Sequence, residues 1–178
     1  MKRINLLAIG VVIFIGMELS AQTPDNRGYL VKTGQQVPEF TVKYTDGKSF
    51  SISDLKGKVV MIQFTASWCS VCRKEMPFIE SDIWQVNKDK GLVLIGIDRG
   101  ESIDKVIDFA KIMKITYPLA LDENSEIFMK FADKAAGVTR NILIDRTGKI
   151  VLMTRLYDTA EFESLKNKIR ELMADRQN

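Results

Sequence analysis

Two cysteines separated by two residues, placed where an apolar run gives way to a helix-forming segment, constrain this chain more than any other feature. Val59 to Thr65 is apolar enough for a buried strand, and Cys69 to Trp84 has the spacing of a helix. The segment Phe64-Thr65-Ala66-Ser67-Trp68-Cys69-Ser70-Val71-Cys72-Arg73-Lys74-Glu75-Met76-Pro77 therefore sets two thiols at a strand-to-helix junction. At a helix N-terminus the unpaired amides and the macrodipole favour an anion, so Cys69 is the candidate nucleophile, with a thiolate stabilised below the free value of ~8.5. Cys72 falls on the same helical face, deeper in the helix, and is placed to resolve a mixed disulfide formed at Cys69. A bridge over so short a loop adds little chain-entropy stabilisation, so the pair suits exchange better than stapling. Two other readings stay open: a purely structural disulfide, and half of a zinc site. The chain has two cysteines and no histidine, so only carboxylates could complete such a site, and no metal is expected.

The N-terminus has the three parts of an export signal: basic Lys2 and Arg3, an apolar run from Leu6 to Met17, and the small residues Ser20 and Ala21. We read 1–21 as an export signal peptide, 22–36 as a flexible leader and 37–178 as one folded domain, in the periplasm or cell envelope. The apolar run is shorter than the roughly 20 residues a spanning helix needs, which makes a membrane anchor the second choice. The net charge of +3 is spread along the sequence and gives no nucleic-acid footprint.

Within the domain, Phe40 to Val42 and Ser49 to Ile52 flank the turn Asp46-Gly47 as a hairpin, and Ser53-Asp54 caps a brief helical turn. Strands at Val59–Thr65, Leu92–Asp98 and Leu119–Leu121 alternate with helices at Cys69–Trp84, Ser102–Met113 and near Ser125–Phe131, which implies parallel pairing. Asn141–Asp145 and Lys149–Arg155 flank the turn Arg146-Thr147-Gly148, and Glu161–Met173 closes the chain as a helix. The expected class is α/β: a mixed central sheet flanked by helices, with an N-terminal hairpin.

The strand, the Trp-Cys-x-x-Cys motif, the basic pair, Glu75 and Pro77, followed much later by Ile144-Asp145-Arg146-Thr147-Gly148-Lys149, resemble the TlpA/ResA-like branch of the thioredoxin superfamily from about Gly34 to the closing helix. The resemblance implies a thioredoxin-like fold, a redox-active Cys69–Cys72 disulfide with no further cofactor, and an exported or tethered oxidoreductase. It also implies disulfide-containing envelope proteins, such as apocytochromes, as substrates, and an upstream membrane thiol-disulfide donor. By the same resemblance Trp68 borders the substrate surface, Glu75 tunes thiol protonation as a candidate proton acceptor, and Pro77 bends the helix. The loop Val138-Thr139-Arg140 takes the place of a substrate-docking loop.

Two positions depart from the wider superfamily. Gln63 stands where thioredoxins often bury an acid, and an amide cannot accept a proton in that role, which leaves Glu75 as the internal base. Thr139 stands where a cis-proline is usual. A cis bond before a non-proline residue costs ~3 kcal/mol, so Val138–Thr139 is expected to be trans. Thr139 then offers a hydroxyl to the thiolate, and Arg140 a cation. The nearest rival reading is a peroxiredoxin-like thiol peroxidase, although Ala66 stands three residues before Cys69 where that family has Thr or Ser. A non-catalytic thioredoxin-fold binding or metal-carrying module is the remaining one.

Overall fold

The computed structural model describes residues 24–175. Hydrophobic alternation on the central strands gives each face of one sheet its own core. The strands are β3 (Val60–Thr65), β4 (Val93–Arg99), β5 (Leu119–Asp122), β6 (Arg140–Ile144) and β7 (Ile150–Arg155). They run in the order β5-β4-β3-β6-β7. β3 pairs parallel with β4, and β4 with β5, while β6 lies antiparallel to β3 and β7 antiparallel to β6. Ile62, Phe64, Ile95, Ile97, Ile142 and Ile144 face one core, and Met61, Leu94 and Leu143 face the other. With successive side chains on opposite faces, a central strand covered on both sides is buried at every position, as β3 is, and is apolar there except at Gln63 and Thr65.

The second core is roofed by α1 (Ser70–Phe78) with its extension, α3 (Ile103–Met113) and α5 (Thr159–Ala174). The first is covered by the hairpin β1 (Thr41–Lys43) and β2 (Ser49–Ser51) and by the short α4 (Phe128–Phe131). This is the thioredoxin-like mixed sheet with an added N-terminal hairpin.

Three local expectations change. The helix expected over Cys69–Trp84 is α-helical only to Phe78, passes through a π-helical stretch at Ile79–Trp84 and regains α-geometry in α2 (Gln85–Asn87). Pro77 has no N–H to give and crowds the preceding turn, so the ladder re-registers just beyond it. The helix near Ser125–Phe131 contracts to α4, because Ser125 takes a left-handed φ of 61°.

The largest correction concerns the leader. Over the described part of 22–36, the chain from Pro24 to Gln36 is fastened to the domain rather than loosely attached. Tyr29 is 1 % exposed and Val31 4 %. The Leu30 amide donates to Phe131 O and the Asp133 amide to Gly28 O, and Gly34 and Val37 donate to Ile150 O and Gly148 O. At Gly28, φ is +79° and a Cβ would stand 3.1 Å from an Arg140 guanidinium nitrogen, so glycine serves both the turn and the close approach. The proposed signal at 1–21 lies outside the described residues.

Candidate active site

β3 delivers the chain at Thr65, and Ala66 to Trp68 turn it into α1. Cys69 is the N-cap of that helix, with φ −85° and ψ 105°, and its Sγ accepts the Cys72 amide at 3.1 Å. Sulfur thus occupies the position where a helix presents unpaired N–H groups and positive potential. The two cysteines are joined as a disulfide. They differ in access: Cys69 is 8 % exposed and Cys72 wholly buried. The Thr139 hydroxyl stands 3.1 Å from Cys69 Sγ and 3.2 Å from Cys72 Sγ. A single O–H can donate to either sulfur but to one at a time.

The loop before Cys69 is held from below. Ser67 donates its amide and its hydroxyl to the two oxygens of Glu101 at 2.5 and 2.6 Å, while its carbonyl accepts from Arg73 Nε at 2.7 Å. Trp68 is left 65 % exposed beside the disulfide. Asp98, buried near Glu101, has its carboxyl pushed up to about 8 by burial and then by the Glu101 charge.

Glu75 lies one turn beyond Cys72 on α1 and is 1 % exposed. Its Oε1 accepts from Asn141 Nδ2 at 2.6 Å and its Oε2 from Gln63 Nε2 at 3.5 Å. Burial pushes this carboxyl up to about 7, while the two amides act in the opposite direction by favouring the carboxylate. A buried carboxyl poised near neutrality can take and return a proton under ordinary conditions.

The structure therefore brings Cys69, Cys72 and Thr139 together, places Glu75 three residues past Cys72 on the same helix and hydrogen-bonded to Asn141 and Gln63, and leaves Trp68 exposed beside the disulfide. Val138 and Thr139 are each 2 % exposed, and no cis peptide occurs among the described residues. Arg140 is a correction. It offers no cation to the thiolate and no side chain to a substrate, because its guanidinium turns inward, bonding Gly137 O at 2.9 Å and Arg27 O at 2.7 Å and lying 4.3 Å from the Tyr29 ring centre. Its burial follows from the packed arm, whose backbone supplies one of those carbonyls. Sequence reasoning missed Asn141, Tyr117, Thr154, Asp98 and Glu101. Strand parity was the available signal for Asn141, since Gln63 and Asn141 stand on the Glu75 side of an otherwise apolar sheet. Among the described residues, no group of three or more His, Cys, Asp or Glu side chains is placed to hold a metal ion.

A mixed sheet with a Trp-Cys-x-x-Cys disulfide at the head of its first long helix defines a thiol-disulfide oxidoreductase of thioredoxin fold. Comparison narrows the class: the Redoxin family model matches residues 32–169, and the chain belongs to that family. It is 32 % identical over 121 residues to the thiol-disulfide oxidoreductase ResA of Bacillus cereus, covering 68 % of each protein. It is also 57 % identical to a candidate protein disulfide isomerase from Bacteroides thetaiotaomicron, with a TM-score of 0.81 over 83 % of this chain and 94 % of that one. The fold is shared with a candidate thiol:disulfide interchange protein DsbE from Chlorobium tepidum, at 24 % identity and a TM-score of 0.70 over 80 % of this chain and 99 % of that one.

Proposed function

We propose that the protein works as an exported reductant of disulfides in other envelope proteins, with apocytochromes as one substrate class. The observation that carries this reading is the asymmetry of the two sulfurs: Cys69 at the helix cap and 8 % exposed, Cys72 wholly buried, with the buried Glu75 three residues further along the same helix. In the dithiol form the Cys69 thiolate attacks one sulfur of a substrate disulfide, and the substrate's other sulfur leaves and takes up a proton. Cys72 then passes its proton to the Glu75 carboxylate and attacks Cys69 Sγ, breaking the mixed disulfide. The second substrate thiol departs, the substrate has gained two electrons, and the Cys69–Cys72 bond has formed. An upstream membrane thiol-disulfide donor returns the pair to dithiol, and Glu75 gives its proton back. Trp68, exposed beside the disulfide, supplies the surface on which the substrate disulfide rests, and the Thr139 hydroxyl reaches the sulfurs from the buried loop before β6.

Support for export comes from the basic, apolar and small-residue pattern of the first twenty-one residues. Among the described residues, no helix is long and apolar enough to cross a membrane. The test is the equilibrium redox potential of the purified protein against glutathione or dithiothreitol. A two-electron couple at or below the thioredoxin value of about −270 mV, lost in Cys69→Ser and Cys72→Ser, supports a reductant, whereas one near −120 mV makes the protein an oxidant and overturns the direction proposed.

A further inference from the structure

The polar side chains beneath Glu75 form one rung across the sheet. Gln63 of β3 is the register partner of Asn141 on β6, Asn141 is the partner of Thr154 on β7, and Gly96 of β4 flanks Gln63 on its other side. Cross-strand partners share a face, so three polar side chains and one gap lie in line. The gap is used. Tyr117 passes 3.2 Å from where a Gly96 Cβ would sit, and its hydroxyl donates to Gln63 Oε1 at 2.7 Å. That bond fixes the amide and turns Gln63 Nε2 toward Glu75.

Asn141 is fastened differently. Its Nδ2 donates to Glu75 Oε1 at 2.6 Å and to Thr154 Oγ1 at 3.0 Å, while its Oδ1 is buried without a hydrogen-bond partner. This arrangement suits a carboxylate, which only accepts. A neutral carboxylic acid carries an O–H that needs an acceptor, and an amide N–H cannot be one. Turning the Asn141 amide through half a turn exchanges Nδ2 and Oδ1, and the unpartnered oxygen then accepts from both the Glu75 acid and the Thr154 hydroxyl. Gln63 cannot follow without depriving the Tyr117 hydroxyl proton of its acceptor.

We propose that Asn141 is a positioning residue whose side-chain amide turns over with the protonation of Glu75, offering N–H to the carboxylate and C=O to the acid, with Gln63 as the fixed half of the same clamp. The inference rests on the reading of Glu75 as the acceptor of the Cys72 proton, but it concerns how both forms of the carboxyl are kept hydrogen-bonded in a site closed to water. Around Glu75 the ionisable groups are Tyr117 ahead of β5 and Tyr157 after β7, and Cys72, three residues back on its own helix, is joined to Cys69. From β3 and β6 it faces the uncharged Gln63 and Asn141, and Thr154 of β7 bonds Asn141 in turn. Glu75 joins none of the ion pairs among the described residues. Its proton therefore answers to amides rather than to a counter-charge.

The experiment is an NMR titration of the isotope-labelled protein from pH 5 to 9, following Glu75 Cδ and the Asn141 side-chain NH2 group. The expected result is a single shared midpoint, with the Asn141 movement absent in Glu75→Gln. Asn141→Leu should raise the Glu75 midpoint by about one pH unit, a tenfold loss of carboxylate in the titration range, and Gln63→Leu by less, given its longer contact. An Asn141 NH2 resonance that stays still while Glu75 titrates, or a Glu75 that holds one form throughout, overturns the proposal. The wild-type titration decides this even if Asn141→Leu does not fold. If Asn141 follows Glu75 but Glu75→Gln exchanges disulfides at the wild-type rate, the clamp stands and the proton-acceptor reading falls.

Discussion

Arg140 and Asn141 are consecutive residues of β6 that leave the strand on opposite faces, and the buried polar clusters they anchor are built on different principles. On the arm side, a guanidinium that never titrates near neutrality is held by two backbone carbonyls and the Tyr29 ring. Tyr29 in turn donates its hydroxyl to Thr154 O. On the helix side, neutral amides surround a carboxyl poised at about 7. The first cluster has one charge state and serves to fasten the arm and the loop before β6. The second must satisfy two charge states, so it is made of groups that donate or accept as needed. The pleat lets a fixed tie and a proton-handling site occupy adjacent residues without sharing a side chain.

Substitutions that separate stability from chemistry give the sharpest test of this division. Arg140→Ala leaves the Arg27 and Gly137 carbonyls and a cavity beneath the arm, and should cost roughly 3 to 4 kcal/mol in urea unfolding. Exchange rates of the folded fraction should stay within about twofold, because no part of the guanidinium faces the sulfurs. A large rate loss would break the comparison.

The helix-side cluster should show itself in the pH dependence of stability. The Glu75 carboxyl binds its proton more tightly when folded, at about 7 against 4.5. Its contribution is therefore complete below 4.5 and is lost as pH rises through 7, a change of ~3 kcal/mol. Glu75→Gln should flatten that slope, gaining stability relative to wild type from pH 5 to 8 in denaturant titrations. The same substitution should slow disulfide exchange at pH 7 by about 10²-fold in stopped-flow measurements, the range for loss of a positioned proton acceptor. The smallest effect belongs to Tyr29→Phe. Removing its hydroxyl deletes one buried hydrogen bond on the arm side, for a loss of about 1 kcal/mol by thermal or urea unfolding and no change in the exchange pH profile.

Much of this was legible in the sequence because it is local. The apolar run before Cys69, the motif itself, the periodic helices and the glycine-marked turns each declare themselves within a dozen residues. The arm does not. Tyr29 and Val31 sit among polar residues and glycines with no period, and the residues that hold Tyr29 and Leu30, namely Phe131, Thr154 and Arg140, are more than a hundred residues away. Arg140 misled for the same reason, since an arginine beside a loop reads as surface unless the segment that buries it is known. Asn141 gave only the faint signal of strand parity. A single neutral polar residue at the start of a strand looks like the strand's wet end, and only the register with Gln63 and the crossing of α1 reveal that it lies under a carboxyl. Pro77 announced a bend, but the π-helical stretch that follows depends on packing against the second core.

Gly96 carries a lesson for anyone who would transplant this site. The residue contributes no atom to the chemistry, yet a Cβ there would run into Leu119 and crowd the Tyr117 ring, and Tyr117 is what holds the Gln63 amide in place. A graft that copied the cysteines and Glu75 onto another scaffold, but kept a side chain at the Gly96 position, would inherit the reactive groups with a misaimed clamp. The portable unit is the motif together with an emptiness one strand away.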